Sequence, residues 1–468
     1  MMSHHLKPLP DRRTLLHRRL LKLTPALMIV LSFVALIVAG TLLLMLPFAA
    51  RSGTISFSDA LFTATSAVCV TGLAVLDTGS YFTLFGQCII LILVQIGGLG
   101  VMTISVILFR AIGRSISFRQ RMAVQEIFAH TPREDIFQVV WTIIAFTLVM
   151  ESIGTGILFF QWVTVYPVGE AFYLALFHSI SAFCNAGFSL FADSLMQFSG
   201  DWPINMTICT MIVFGGIGFP VVYDVATRLK NINVKRDRLS IQTKTVLVTT
   251  FILIALGALC FYILEQNRTL LGKPLNEALL ISILQSITCR TAGFNSVDIS
   301  QLHDATLLMM TTLMFFGASP GSAGGGVKTT TLAVIAAFTW SRIRRKRRVD
   351  LFRKSLPIET VSRSVSLILV SIGLIGTIFF LLLAGDAVGT GAPGLQNRFI
   401  VYFFESVSAF GTVGLSMGIT ALLSVWGKGL IILLMIVGRA GLLTFAYIIV
   451  GGGVENGVEH SEENIMIG

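Results

Sequence analysis

The chain has 468 residues, of which 54% are hydrophobic and 12% are charged, and its formal net charge is +10. Because soluble domains carry about 25% charged residues, this composition argues against a soluble enzyme and favours a polytopic membrane protein. The six cysteines have no C-x-x-C spacing, so neither a zinc site nor a disulfide framework is indicated. The histidines do not cluster with other ligands or nucleophiles, so we expect no enzymatic activity and no cofactor in this chain.

The first apolar element is an uncharged run over residues 23–50, which follows the basic residues Arg12, Arg13, Arg18, Arg19 and Lys22. A signal peptide also begins with basic residues, but its apolar core is only about 7–15 residues long. The run is longer than the roughly 20 residues that a helix needs to cross the hydrocarbon of a bilayer. It therefore predicts a membrane helix that is retained.

Long apolar runs then alternate with short ones along the rest of the chain. Further long runs begin near residues 81, 136, 204, 246, 305, 364 and 430. Segments too short to span lie at residues 60–68, 171–183, 278–288 and 399–410. We expect an all-α protein with eight spanning helices and four half-helices that enter the membrane and leave it on the same side.

Each short segment leads into a motif that ends in glycine followed by Leu or Phe, which makes the chain a four-fold repeat. Ser-Ala stands six and five residues before this glycine in three of the four copies. The four motifs are Val70-Thr71-Gly72, Asn185-Ala186-Gly187, Thr291-Ala292-Gly293 and Thr412-Val413-Gly414.

Basic residues set the expected orientation. They concentrate before the first helix of a repeat or after its last, most densely at residues 342–348. By the positive-inside rule this side is cytoplasmic, so the half-helices enter from outside and both termini are cytoplasmic. The net charge then requires no nucleic-acid partner. The expected boundaries are an N-terminal segment at 1–19, repeats at 20–112, 136–230, 242–342 and 361–454, and a C-terminal tail at 455–468.

A half-helix that ends inside the bilayer leaves unpaired carbonyl groups, and the negative end of its dipole favours a cation. Backbone carbonyls after such a helix replace the water around a dehydrated potassium ion, and turning them inward requires dihedral angles that glycine adopts readily. A single glycine would more often serve only for close helix packing. Four aligned glycines favour a selectivity filter made of the twelve motif residues.

The four motifs and the helix–half-helix–helix pattern resemble the Trk/Ktr/HKT superfamily of potassium transporters, in particular its KtrB/TrkH-type ion-translocating subunits. The resemblance implies four non-identical repeats around one central pore, in a bacterial inner (plasma) membrane. It also implies a homodimer that binds a cytosolic ring of RCK-type subunits, which carry the nucleotide. Sodium-permeable members often have Ser at the first filter glycine. Gly72 therefore indicates potassium selectivity.

The third repeat contains a break that the resemblance identifies as a gate. Its second apolar run is interrupted at residues 317–326, where Pro320 and five glycines prevent a continuous helix. A Walker phosphate loop is not indicated, because Val327 separates the last glycine from Lys328. The resemblance implies an intramembrane gate below the filter, formed by Gly317, Ser319, Pro320, Gly321, Gly324, Gly325 and Gly326 together with Lys328 and Arg439.

Charges within membrane spans are costly and are therefore candidates for function. The resemblance places Arg439 in the pore near the gate, where a fixed cation would form a barrier. Lys328 either acts in the same way or extends toward the cytoplasm. We expect Arg290 and Glu405 to be structural residues behind the filter, with Arg290 paired to Glu405 or Glu277.

Two functions remain open on the sequence. The first is channel-like potassium uptake driven by the membrane potential, which supplies about 2.3 kcal/mol per charge and 100 mV. The second is potassium symport with H⁺ or Na⁺, for which Glu151 and His178 are the candidate coupling residues. Glu151 either pairs with a polar neighbour or lines a coupling path. Four repeats in the same direction favour the pore over an inverted-repeat transporter.

Overall fold

The computed structural model describes residues 25–100, 136–230, 239–346, 348–385 and 398–441. Several predicted segments lie outside these residues. They are the terminal segments 1–19 and 455–468, the last parts of the first and fourth repeats, and the basic segments between residues 101 and 135 and between 231 and 238. The described chain is mostly helical. The first repeat contains α1 (Pro25–Leu44), α2 (Phe57–Val68), α3 (Thr78–Tyr81) and α4 (Leu84–Leu99).

The other repeats also begin with a long helix and a half-length helix, and one or two further helices follow. The second repeat contains α5 (Ile136–Trp162), α6 (Val168–Phe183), α7 (Trp202–Ile217) and α8 (Phe219–Lys230). The third contains α9 (Ile241–Glu265), α10 (Leu275–Thr288), α11 (Asp304–Phe315) and α12 (Thr329–Ile343). The fourth contains α13 (Ile358–Gly385), α14 (Arg398–Gly411) and α15 (Val425–Ala440).

The half-helices α2, α6, α10 and α14 end where the sequence predicts, within one residue, and begin one to three residues earlier. The start of α2 shows why: the Ser56 side chain caps the helix by accepting from Asp59 N at 3.1 Å. Such a cap satisfies a backbone N–H that has no partner inside the helix. Each of α2, α6 and α10 packs along the long helix before it, and α14 packs against α11 and α15. Each half-helix is therefore held by packing against at least one neighbouring helix.

Three helices in the described ranges are long and apolar enough to cross a membrane by themselves, namely those that end at Trp162, Glu265 and Gly385. Counted together, α7 and α8, which meet at 94°, would make a fourth, bent span. The sequence predicts a helix break in the third repeat alone, and for the second repeat this expectation is wrong. Gly218 ends α7 with φ 94° and ψ 136°, a conformation that other residues rarely adopt.

The described chain confirms the prediction of a helical protein, with the exception of one small β-hairpin. β1 (Asp350–Leu351) pairs antiparallel with β2 (Lys354–Ser355) through a two-residue turn. Both turn residues, Phe352 and Arg353, have positive φ. This turn is typical of tight hairpins, but Asn and Gly usually occupy it, so Phe-Arg at this place does not predict it.

In three repeats the apolar residue after the motif glycine packs into a core formed mainly by other repeats, and Leu415 of the fourth lies in the core that its own repeat shares with the third. Phe188 of the second repeat lies in a buried cluster formed mainly by the first repeat. Phe294 of the third repeat lies in the cluster of the second, and Leu73 of the first lies in a cluster formed mainly by the third and fourth. These side chains are at most 2% exposed. The Leu or Phe of each motif thus joins one repeat to another.

Candidate functional site

The four motif glycines come together in a closed ring, although they are far apart in sequence. A Cβ atom built on Gly72 would lie 3.0 Å from the Cα of Gly187, and one on Gly187 would lie 2.9 Å from that of Gly293. The corresponding distances are 3.4 Å from Gly293 to Gly414 and 3.0 Å from Gly414 to Gly72. All four have φ between 68° and 92°. We call these four residues the glycine ring, and it leaves no space for side chains.

Backbone carbonyl oxygens of the preceding residues lie at the same level. Ala292 O would be 2.8 Å from a Cβ on Gly187, and Val413 O would be 2.6 Å from one on Gly293. Ala186 O and Thr71 O approach Gly72 and Gly414 in the same way. The ring therefore places one carbonyl oxygen from each repeat beside the glycine of another.

The residue two positions before each ring glycine also has positive φ: 55° at Val70, 58° at Asn185, 79° at Thr291 and 49° at Thr412. This conformation costs about 1–3 kcal/mol for a residue other than glycine, and such strain concentrates at functional sites. Hydrogen bonds of the half-helix end compensate for it.

In the first repeat, Val70 N donates to Ala67 O at 3.1 Å and Thr71 N to Ser66 O at 2.8 Å. The same two bonds recur in the second and fourth repeats, as expected for a helix that ends in a left-handed residue. The third repeat differs, since Ala292 N donates to Thr288 O at 3.0 Å. Each repeat thus fixes its own motif locally.

A cavity of about 290 Å³ opens onto the ring. All four ring glycines line it, together with residues that follow them in the chain, such as Ala74, Ser189, Asn295 and Ser416. The cavity gives a small solute access to the ring from this side.

The polar side chains two positions before the glycines, those of Asn185, Thr291 and Thr412, bond to neighbouring groups. In the amide orientation that satisfies its contacts, Asn185 donates to Ala182 O at 3.1 Å and Ile212 O at 3.2 Å, and accepts from Thr291 Oγ1 at 3.1 Å. Thr412 Oγ1 accepts from Gly325 N at 2.8 Å. Ion ligands at these motifs would therefore be backbone oxygens.

The break in the third repeat is a loop of residues 316–328 between α11 and α12, which we call the broken-helix loop. Its two ends meet, because Val327 N donates to Phe315 O at 3.2 Å. The predicted break at residues 317–326 is thus confirmed. Ser319 Oγ and Thr329 Oγ1 lie 2.9 Å apart and add a side-chain link across the loop.

Helix ends of two other repeats hold the broken-helix loop. Ser319 N donates to Gly216 O at 3.1 Å and Ala323 N to Gly215 O at 3.2 Å, both at the end of α7. Gly326 N donates to Gly438 O at 3.3 Å near the end of α15. A Cβ on Gly317 would come within 2.9 Å of Thr291 Cγ2, so the loop lies directly against the third motif.

Pro320 and Gly321 face the bend of the second repeat. Phe219 N donates to Gly321 O at 3.0 Å, and a Cβ on Gly218 would overlap with Pro320 O. Gly324 packs in the same way against the Thr291 side chain. The small residues of the loop therefore allow close backbone contact on several sides.

Both predicted gate cations bond to backbone carbonyls. Lys328 Nζ donates to Gly324 O at 2.8 Å and approaches Gly325 O at 3.4 Å. The alternative that Lys328 extends away toward the cytoplasm does not describe this structure. Arg439 donates from Nη2 to Gly97 O on α4. Lys328 thus holds the loop, and Arg439 joins the fourth repeat to the first.

The predicted ion pair of Arg290 is wrong. Arg290 is buried and donates from Nη2 to Thr250 Oγ1 of α9 at 3.2 Å. Glu405 instead accepts from Thr420 Oγ1, and Glu277 is bonded to Lys273 and, at 3.1 Å, to Ser199. Arg290 faces α9 at the end of α10, whereas Glu277 lies in the first turn of α10 and Glu405 faces the segment after the fourth motif. Arg290 and Glu405 are both buried near the motifs, which agrees with the expectation that they are structural residues.

Glu151 and His178 are both held in polar contacts. Glu151 Oε2 accepts from Gln95 Nε2 at 3.2 Å, so the interpretation that it pairs with a polar neighbour is confirmed. His178 lies with Nδ1 2.8 Å from Leu174 O and accepts from Leu190 N at Nε2, 3.4 Å away. Nε2 also lies 3.0 Å from Ser189 Oγ, and Nδ1 donates to Leu174 O, since a carbonyl oxygen only accepts.

Sequence reasoning missed two groups of residues around the motifs. Ser66 Oγ accepts from Gly72 N at 3.1 Å and Ser408 Oγ from Gly414 N at 3.2 Å. The recurring Ser-Ala was a visible signal of this contact. The other group consists of glycines in the helices that follow the motifs. A Cβ on Gly97 of α4 would come within 3.0 Å of the carbonyl carbon of Val68, and one on Gly215 of α7 within 3.0 Å of that of Phe183.

Comparison with known proteins identifies the family of this membrane-helix chain. A family model described as "TrkH: Cation transport protein" matches residues 13–450. The chain belongs to this family. It is a multi-pass membrane protein of the Trk/Ktr type.

Two relatives and one solved structure extend the match. The chain is 40% identical over 423 residues to "Ktr system potassium uptake protein B" of Vibrio alginolyticus, covering 90% of each chain. It is 35% identical over 463 residues to "Potassium/sodium uptake protein NtpJ" of Enterococcus hirae, covering 97% of this chain and 100% of that one. The potassium transporter TrkH of Vibrio parahaemolyticus has a similar fold, with a TM-score of 0.68 at 18% identity over 92% of this chain and 86% of that one.

Proposed function

We propose that this chain is the potassium-translocating subunit of a Trk/Ktr-type uptake system and that ions cross it at the glycine ring. The observation that carries the proposal is the ring itself, where four chain segments bring backbone carbonyls together with no side chain between them. Two relatives named "Ktr system potassium uptake protein B" support potassium as the substrate, and the name of a third, "Potassium/sodium uptake protein NtpJ", includes sodium as well.

The chemistry is that of a filter. The carbonyl oxygens of the twelve motif residues replace the hydration shell of a potassium ion, and the C-terminal ends of the half-helices add a negative potential. The cavity of about 290 Å³ acts as the outer entrance. Because the carbonyls belong to strained backbone that the half-helix ends hold in place, the filter keeps its shape when the ion leaves.

The broken-helix loop is the gate of this pathway. It lies against the third and fourth motifs through Thr291 and Thr412, on the side of the half-helix ends. Lys328 and Arg439 place positive charge there, which opposes the presence of a cation while the loop is closed. The path opens when the loop and these two charges move away from it.

The membrane potential drives inward transport without chemical coupling. A symporter would need a site that gains and loses a proton or sodium ion during the cycle. His178 is fully buried and held at both ring nitrogens, and Glu151 is paired with Gln95. These contacts support channel-like conduction over symport.

Family membership supports a proposal for the assembly. We propose eight spans in four repeats around one pore, a bacterial plasma-membrane location with both termini in the cytoplasm, and a homodimer with one pore in each protomer. A cytosolic ring of nucleotide-binding RCK-type subunits regulates it. The word "system" in the names of Ktr relatives supports additional subunits.

The test is potassium flux into proteoliposomes at a clamped membrane potential, with and without a pH or sodium gradient. We expect a flux that follows the potential and is the same with and without either gradient. Flux no greater than that of empty liposomes would contradict potassium translocation, and flux that requires a gradient would establish symport.

A second arm tests the ring. Gly72→Ser places a side chain where a Cβ would lie 3.0 Å from the Cα of Gly187 and disturbs the carbonyls on both sides. We expect a higher sodium-to-potassium permeability ratio. An unchanged ratio would remove Gly72 from the filter.

A further inference from the structure

We infer that Ser66 and Ser408 are selectivity-determining residues, which act by orienting two of the carbonyl oxygens of the glycine ring. The inference rests on the proposed function and adds residues that lie outside the filter motifs. Both serines are fully buried in the last part of a half-helix, six residues before a ring glycine.

Each serine holds the N–H of its own ring glycine. Ser66 Oγ accepts from Gly72 N at 3.1 Å, and Ser408 Oγ accepts from Gly414 N at 3.2 Å. These hydroxyls therefore act on the backbone of the ring directly, although neither side chain enters it.

Peptide geometry transmits this contact to the carbonyl groups. In a planar trans peptide, the N–H and the C=O of one unit point in opposite directions. An N–H of Gly72 held by Ser66 behind the ring therefore directs Thr71 O to the opposite side, where it lies beside Gly414. In the same way Ser408 directs Val413 O, which lies beside Gly293.

The other two repeats lack this contact. The Ser181 hydroxyl of the second repeat donates to Phe188 O at 2.7 Å, and the third repeat has Ile287 at this position. Serine thus holds the ring peptide in the first and fourth repeats, which are neighbours in the ring. Loss of either hydroxyl allows one carbonyl to rotate and weakens the geometry that discriminates potassium from sodium.

The experiment compares Ser66→Ala and Ser408→Ala with a matched control, Ser406→Ala. Ser406 is as buried as Ser408 and lies in the same half-helix, α14. Its hydroxyl, however, donates to Tyr402 O at 2.7 Å, one turn earlier in the helix. The measurements are the sodium-to-potassium permeability ratio and the total potassium flux in proteoliposomes. Ser66→Thr and Ser408→Thr retain the hydroxyl oxygen and serve as conservative variants.

We expect Ser66→Ala and Ser408→Ala each to raise the permeability ratio about two- to tenfold, the effect of one lost neutral hydrogen bond. Ser406→Ala should leave the ratio unchanged, and the Thr variants should stay near the wild-type value. Unchanged ratios in both Ala variants, or an equal shift in Ser406→Ala, would overturn the inference.

This outcome is distinguishable from failure of the proposed function. If the wild type carried no potassium flux, the function itself would be wrong. If the wild type selected potassium and Gly72→Ser changed the ratio while both serine variants did not, the serine inference alone would be wrong.

Discussion

The glycine ring and the broken-helix loop lie next to each other and both depend on close backbone contact, yet different parts of the molecule hold them. Each motif of the ring is fixed by the end of its own half-helix, as in the bond from Thr71 N to Ser66 O. The loop is fixed by other repeats, through Gly215 O and Gly216 O of α7 and Gly438 O of α15.

This difference has a mechanical consequence. Relative movement of α7 or α15 breaks hydrogen bonds of the loop but leaves the helix-end bonds of the ring intact. The molecule can therefore change its rate of conduction while its selectivity stays constant. Substitutions in the two regions should separate selectivity from rate.

The largest effect is expected in the ring. Gly414→Ala introduces a Cβ that would lie 3.0 Å from the Cα of Gly72, at a residue whose φ is 92°. Because crowding against backbone and positive-φ strain each cost about one to several kcal/mol, potassium flux in proteoliposomes should fall by about a hundredfold or more.

Gly418→Ala is the matched control for Gly414→Ala. Gly418 has φ 86°, but a Cβ there would meet no atom within 4 Å. It therefore introduces similar backbone strain without crowding the ring, and flux should stay within about threefold of the wild type. Equal losses in both variants would mean that strain, and not the closed ring, causes the effect.

A smaller effect of opposite sign is expected in the loop. Lys328→Met removes the charged hydrogen bonds from Nζ to Gly324 O and Gly325 O. Bonds to charged groups contribute about 1.5–3 kcal/mol, so the loop should open more often and potassium flux should rise by about tenfold or more. Selectivity should not change.

Lys354→Met is the control for Lys328→Met, since Lys354 is exposed on the β-hairpin. It should change neither quantity. A changed permeability ratio in Lys328→Met would show that the loop and the ring are not independent.

The smallest effect is expected where the two regions touch. Thr412→Val removes the acceptor of Gly325 N, and the chain already has valine in the same backbone conformation at Val70. One neutral hydrogen bond between ring and loop is lost, so flux should change by only about two- to fourfold at constant selectivity. A selectivity change larger than that of Ser408→Ala would contradict this assignment.

The half-helices and the four glycines could be predicted from the sequence, because the signals are repeated and local. Each repeat has an apolar segment too short to span, and the motif glycine follows its end after three to five residues. The break in the third repeat was equally visible, since Pro320 and its neighbouring glycines cannot continue a helix.

The remaining contacts could not be predicted, because they depend on which elements meet in space. Gly218 is one glycine among many in apolar runs, and only its contact with Pro320 and Gly321 shows why the second repeat bends there. Arg290 was expected to pair with a carboxylate, but it donates a hydrogen bond to Thr250 on a neighbouring helix. Charge complementarity alone does not reveal which face of a helix a side chain occupies.

The most direct test of the account is to locate a heavy potassium analogue in crystals of the protein. Thallium(I) or rubidium, identified by anomalous scattering, should lie on the axis between Gly72, Gly187, Gly293 and Gly414, within coordination distance of the carbonyl oxygens beside them. Anomalous density elsewhere in the membrane-spanning region, with none on this axis, would contradict the assignment of the ring as the filter.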